Sequence, residues 1–156
     1  METKEIYILC KERSQVIALQ FLERFLPSRK PSALDYLYPQ YNDNPEIVYR
    51  DCEQLIEKLE RELNQPYSLY WDNVNDNPIR NAMLFFTADG NMISGLAVMG
   101  GEDKDWLEKI SSVVGGNYGY VSFEEPPPDD TQEFIEICQT TVQSRLVNRV
   151  IKSSRR

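Results

Sequence analysis

The chain has 156 residues, 41% of them hydrophobic and 27% charged, with a net charge of −8 and no histidine. A chain of this length can fill one core without disulfide or metal staples, and its composition excludes a disordered or fibrous polymer. The acidic balance excludes an ordinary nucleic-acid binder, whose affinity comes from clustered Lys and Arg, and no run reaches the roughly 18 apolar residues of a membrane span.

The run from Glu5 to Cys10 is compact, β-branched and apolar, which predicts a strand buried on both faces near the centre of a sheet. A helix follows: Ser14 is a good N-cap, Ile17, Phe21, Leu22 and Phe25 recur at helical spacing, and Pro27 and Pro31 end the pattern. Residues 28–45 combine three prolines with Tyr36, Tyr38 and Tyr41 and read as an ordered loop packed onto the body. A short strand at 47–49 then leads to Asp51, a helix cap, and to Leu55, Ile56, Leu59 and Leu63 on one helical face.

Tyr67 to Trp71 predicts an aromatic strand, and the Asx-rich turn from Asp72 to Pro78 follows it. Residues 82–86 and 92–98 flank Asp89 and Gly90, a hairpin signal. A two-residue loop there pairs Ala88 with Asn91 and Phe86 with Ile93. Gly100 and Gly101 break the strand before a helix carrying Trp106, Leu107, Ile110, Val113 and Val114, which Gly115 and Gly116 close as a left-handed cap. A strand from Tyr118 to Phe123 runs into Pro126, Pro127 and Pro128, which force an extended connection. The last helix starts near Asp130, with a stripe of Phe134, Ile137, Cys138, Val142, Leu146 and Val150. No internal repeat or linker divides the chain, so residues 1–156 are expected to form a single domain. The expected fold class is α+β: a mixed, mostly antiparallel sheet of about five or six strands with about four helices packed on it.

Lack of histidine removes the usual general base near neutral pH, the usual partner of Ser and Cys nucleophiles and the most frequent zinc ligand. Cys10, Cys52 and Cys138 are widely spaced among apolar residues, the pattern of reduced core thiols. Residues 72–83 fail as a calcium loop, because Val74, Asn77 and Met83 stand where an oxygen ligand, glycine and glutamate are required. The helix after Gly100 and Gly101 opens with Glu102, Asp103 and Asp105, which occupy the end where a phosphate binds. No catalytic residue, metal site or cofactor is therefore assigned, and an enzyme is not expected. The N-terminal Glu2 and Glu5 stand where a signal peptide carries positive charge, so the expected location is the cytoplasm.

Charge is unevenly placed. From Glu102 to Glu133 there are nine acids against Lys104 and Lys109, whereas Arg145, Arg149, Lys152, Arg155 and Arg156 close the chain without an acid. Such a layout suits recognition of a basic partner, or docking of the tail on the acidic surface. The hairpin of residues 84–96, Asp105 to Leu107, and the run Tyr118 to Pro128 with Glu124 and Glu125 before its prolines resemble small acidic bacterial immunity proteins of polymorphic toxin systems. The resemblance covers about the middle third of the chain and implies neutralisation of a toxin by binding. The leading expectation is thus a protein-binding module, an immunity-type inhibitor of a basic partner. Its expected contact residues are Tyr70, Trp71, Glu102, Asp103, Asp105, Glu124 and Glu125. Two alternatives stand beside it: a small carboxylate-based enzyme or ligand-binding domain, and a structural subunit forming a homodimer.

Overall fold

A computed structural model describes residues 2–140 and 149–150. Strands β1 (Lys4–Leu9), β2 (Arg29–Pro31), β5 (Tyr67–Asn73), β6 (Ile79–Phe86), β7 (Met92–Val98), β8 (Tyr118–Ser122) and β9 (Arg149–Val150) form one sheet. Its order is β2-β5-β6-β7-β1-β8-β9, and each neighbouring pair is antiparallel. Strands β3 (Tyr36–Tyr38) and β4 (Ile47–Tyr49) form a separate two-stranded ribbon. The α+β expectation holds, with four helices: α1 (Gln15–Phe25), α2 (Cys52–Arg61), α3 (Asp103–Val114) and α4 (Thr131–Thr140).

Alternation along each strand sends side chains to two different cores. Ile6, Ile8, Leu69, Trp71, Leu84 and Leu96 face the layer of α1, α2 and α3, which buries Phe21, Leu22, Leu55, Ile56, Leu107 and Ile110 against them. Each such side chain contributes about 2 kcal/mol by leaving water. Tyr7, Leu9, Phe85, Ile93 and Tyr120 point the other way, toward Phe134 and Cys138 of α4. Here edge-to-face rings run from Tyr70 through Phe85 and Tyr7 to Tyr120, which packs on Phe134. Gly95 makes that row possible, because a Cβ there would lie 2.9 Å from the Tyr7 ring.

The helix signals act where the sequence puts them. Ser14 accepts from the Ile17 N–H, Asp51 from Glu53, and Asp130 from Glu133. Gly115, in the left-handed region at φ 75, closes α3. Leu63 lies beyond the end of α2 and is exposed, so its place on the apolar stripe is corrected.

Three other expectations are corrected. The β6–β7 hairpin has a three-residue loop: Phe86 pairs with Met92 and Phe85 with Ile93, one residue away from the expected register. Thr87 accounts for the shift, since its hydroxyl accepts the Asn91 N–H while Gly90 takes a positive φ of 96. The slip keeps Phe86 and Met92 together on the helical side, where a two-residue loop would have sent them to different faces. Residues 28–45 contain β2 and β3 instead of a loop alone. Val150 lies in β9 opposite Tyr118, not on the stripe of the last helix; Val142 and Leu146 lie outside the described residues.

Arg13, in the β1–α1 connection, is buried and uses all five of its N–H groups on main-chain carbonyls. Nε donates to Leu59 at 2.7 Å, Nη1 to Thr87 and Asn91, and Nη2 to Glu62 and Gln65. Its guanidinium also lies 5.2 Å from the centre of the Phe86 ring. The hairpin fixed in this way anchors α4: Asp89 accepts from the Thr131 N–H and hydroxyl, and the Ala88 N–H donates to Asp129. The strap from Phe123 to Asp129 therefore runs from one end of the sheet to the other, with the Tyr7 hydroxyl donating to the Glu125 carbonyl on the way. An extended proline-rich path rising about 3.1 Å per residue spans that length in seven residues.

Arg13→Met should destabilise the fold by about 3 kcal/mol, read as a lower urea midpoint at unchanged slope, and Arg13→Lys should recover little of it because an ammonium lacks the five-donor fork. A lysine variant as stable as the parent would contradict this latch. Burial opposes the charge on Asp89, but hydrogen bonds from Thr87 and Thr131 outweigh it and hold the carboxyl below its ordinary 3.8. Its contribution is present above that ordinary value and lost as pH falls through the depressed one. The stability gap between the parent and Asp89→Asn should thus close as urea titrations move from about pH 6 to about pH 2.

Candidate functional site

The carboxylates singled out in the sequence fall in two groups at the end of the sheet where β1 begins. Lys4 Nζ reaches Asp103 at 2.5 Å and also donates to the Gly101 carbonyl, which ties the start of α3 to β1. The Glu124 N–H donates to the Glu5 carboxylate at 2.6 Å, bringing the turn after β8 to the same place. Glu102 and Asp105 at the start of α3 and Glu124 and Glu125 on the strap make that end acidic from opposite faces of the sheet. Burial pushes the Glu5 carboxyl up, against the opposing hydrogen bond from Glu124.

The aromatic half of the predicted surface does not join them. Trp71 is 2% exposed and packs in the helical-side core, because odd-numbered residues of β5 face α1 and α2. Its assignment as a contact residue is corrected. Tyr70, its neighbour on the other face, is 43% exposed. Three inter-strand steps, roughly 14 Å at a spacing of about 4.8 Å, separate it from β1 and the acids there.

Tyr70 instead belongs to a second surface built by residues 32–49. The ribbon is held from beneath: Tyr36 and Tyr38 are buried, the Tyr38 hydroxyl donates to Glu62 at 2.5 Å, and the Tyr67 hydroxyl donates to the Leu37 carbonyl at 2.6 Å. Its outer side carries the cross-strand pair Leu37 and Val48, both exposed, with Leu34 at 94% and Tyr41 at 85% exposure. Tyr41 also has φ 63, a left-handed conformation that costs a bulky L-residue about 1 kcal/mol. Between this ribbon and β5 lies an open groove of about 340 Å³, lined by Asp35, Leu37, Gln40, Tyr41, Ser68 and Tyr70 among others. The segment 32–49 holds Asp35, Asp43 and Glu46 and no Lys or Arg.

A second groove, of about 440 Å³, opens between α1, α2 and β2 and is lined by Leu22, Arg29, Arg50, Cys52, Ile56 and Trp71 among others. Burial pushes the Cys52 thiol up to about 12 and the Cys10 thiol likewise to about 12, so neither is a thiolate at neutral pH. The Tyr36 hydroxyl is buried beside Cys52 without a hydrogen bond of normal geometry, and burial followed by that neighbour drives its phenol upward. Both groups are therefore held neutral. No helix among the described residues is long and apolar enough to cross a membrane, and these residues contain no cluster of three His, Cys, Asp or Glu side chains placed for a metal ion.

Sequence reasoning missed Leu34, Asp35, Leu37, Gln40 and Tyr41. Tyrosine density in 28–45 marks the segment as ordered and Asn42 to Asn44 mark a turn, but which rings turn inward depends on the β3–β4 register, which that turn signal does not fix. Comparison with known proteins finds no matching family model, no similar curated protein and no similar solved structure.

Tyr41→Gly should leave the fold intact and raise its urea midpoint, a gain of up to about 1 kcal/mol, because glycine takes the left-handed conformation freely and the lost ring buries little. A clear loss of stability would show that the ring is a packing element instead of a displayed one.

Proposed function

We propose that this chain is a protein-recognition domain, an immunity-type inhibitor whose target is a basic protein, and that it docks through the 32–49 ribbon and Tyr70. The observation that carries the reading is Tyr41, a large ring held outside the body in a strained backbone conformation, next to exposed Tyr70 and Leu37. A body built only for stability has no reason to keep that combination, and backbone strain of this kind gathers at ligand-contacting positions. Tyrosines give large contact area at low entropic cost and are enriched among the residues that dominate binding energy. Asp35, Asp43 and Glu46, with no cation in the same segment, select a positively charged partner, and the net charge of −8 speeds its approach.

The acidic end at Glu102, Asp105, Glu124 and Glu125 supports the same partner charge from a distance. In this reading it acts on encounter rate, since charges separated from a contact by more than a Debye length, about 8 Å at physiological salt, are largely screened once the complex has formed. Asp103, paired with Lys4, serves the fold first.

Affinity capture from native-host extract, using the full chain as bait, tests the proposal. A basic protein should be retained by the parent and lost on Tyr41→Ala with Tyr70→Ala, at a cost of about 2 kcal/mol or more in affinity measured with the purified partner. Charge reversal at Glu102 and Asp105 should instead slow association in a salt-dependent way with little change in dissociation. Co-expression of the captured protein with and without this chain reads inhibition directly. An acidic partner, or one held equally by the tyrosine variant, would refute the reading.

A further inference from the structure

Strand β2 pairs with β5 at Arg29 and Asn73, Lys30 and Asp72, and Pro31 and Trp71, and the Ser32 N–H still donates to the Tyr70 carbonyl. Continued at constant register, the next hydrogen-bonded position would set Leu34 opposite Ser68. The chain turns away instead, and Leu34 stands in solvent. The place is filled by a side chain: Gln40 Nε2 donates to the Ser68 carbonyl at 3.1 Å, and Gln40 Oε1 accepts the Ser68 N–H at 2.8 Å. A residue whose N–H and C=O are both exchanged with one partner is the repeating unit of an antiparallel ladder, so the Gln40 carboxamide stands in for the donor and acceptor of one residue of a missing strand.

The walls of this position are those of the tyrosine groove: Tyr41 and Tyr70 flank it, and Asp35 and Leu37 line it with Gln40 and Ser68. Pro66, which has no N–H, limits the open edge at the start of β5, so the slot offers one fully paired residue and short flanks.

We propose that this edge is a peptide-docking slot, plugged by Gln40 in the free protein and opened when an extended, basic segment of a protein partner displaces the carboxamide and pairs with Ser68. The inference rests on the protein-recognition reading above and adds its mode, strand addition to a sheet edge. A polypeptide fits because the vacated hydrogen bonds have the spacing of a main chain. A basic one fits because Asp35 lines the groove and the segment 32–49 that forms its outer wall holds Asp43 and Glu46 as well, with no Lys or Arg. The plug also shields the edge from unwanted pairing, the usual liability of a bare strand.

The test uses a displayed library of random dodecapeptides selected on the full chain, with an all-acidic peptide pool as control. Enriched peptides, synthesised and measured by fluorescence polarisation, should be rich in Lys and Arg and should weaken on Tyr70→Ala. Gln40→Ala, which removes the plug, should bind them about tenfold tighter, because two hydrogen bonds no longer have to be broken. Ser68→Pro, which removes the edge N–H, should weaken them by a similar factor. If that variant does not fold, hydrogen exchange at the Ser68 amide of Gln40→Ala gives the same answer, with slow exchange only when peptide is bound. Basic winners that bind Gln40→Ala no tighter and leave Ser68 exchanging freely would overturn the slot while leaving protein recognition standing. Failure to enrich basic peptides over the acidic control would overturn both.

Discussion

A single buried guanidinium sets the arrangement on which the remainder of the molecule is built. Arg13 makes no ion pair among the described residues, though Asp89 lies near enough to favour its charge; its five donors are taken by carbonyls from the end of α2, the turn beyond it and the two sides of the β6–β7 hairpin. A buried cation is tolerable only when every donor is satisfied, and the carbonyls at a helix C-terminus carry the partial negative charge that suits it. Three segments far apart in sequence are thereby held to one point. The hairpin in turn presents Asp89 to the first turn of α4, and the end of α2 presents Glu62 to Tyr38 of the ribbon. Removal of the guanidinium would take a donor from each of five carbonyls, of which those of Glu62, Thr87 and Asn91 keep a main-chain donor, and would loosen both attachments together.

Around that point the sheet separates two tasks. Its helical side is a conventional core of aliphatic and phenylalanine side chains with Trp71 and the buried Tyr36, Tyr38 and Tyr67 at the β5 end. Its other side is a row of rings, with Tyr70, Met83, Gly95, Tyr7 and Tyr120 in register across five strands. The row is covered by α4 at one end and finishes at a half-exposed tyrosine on the other. The ribbon beside that tyrosine is anchored by buried phenols and hydroxyl hydrogen bonds, while its outer residues are displayed. Rigid support beneath displayed side chains is the usual way a scaffold offers a contact without surrendering stability.

Acid and aromatic residues therefore work in different places. Net charge acts through a field that reaches several ångströms into solvent, so its source need not touch the partner. Affinity needs desolvated area, which the exposed rings and aliphatic side chains of the ribbon supply. The arrangement places the area at the β5 edge and a separate group of acids, Glu102, Asp105, Glu124 and Glu125, toward the opening end of β1.

Local physics alone carried much of the fold. Period-two and period-3.6 patterns located β1, β5 to β8 and four helices, and Ser14, Asp51, Asp130 and Gly115 cap where their side chains or lack of one dictate, because these signals act within four residues. What crosses greater distances was not legible. Trp71 and Tyr70 are neighbours of equal promise in the sequence, and only the stacking of α1 and α2 on one face decided that one is entombed and the other displayed. The hairpin slip depended on one hydroxyl, and the role of Gln40 on a strand that stops one pair early. Arg13 carries no sequence signature at all, since its five partners are main-chain oxygens, identical at every residue and brought together only when the chain has folded.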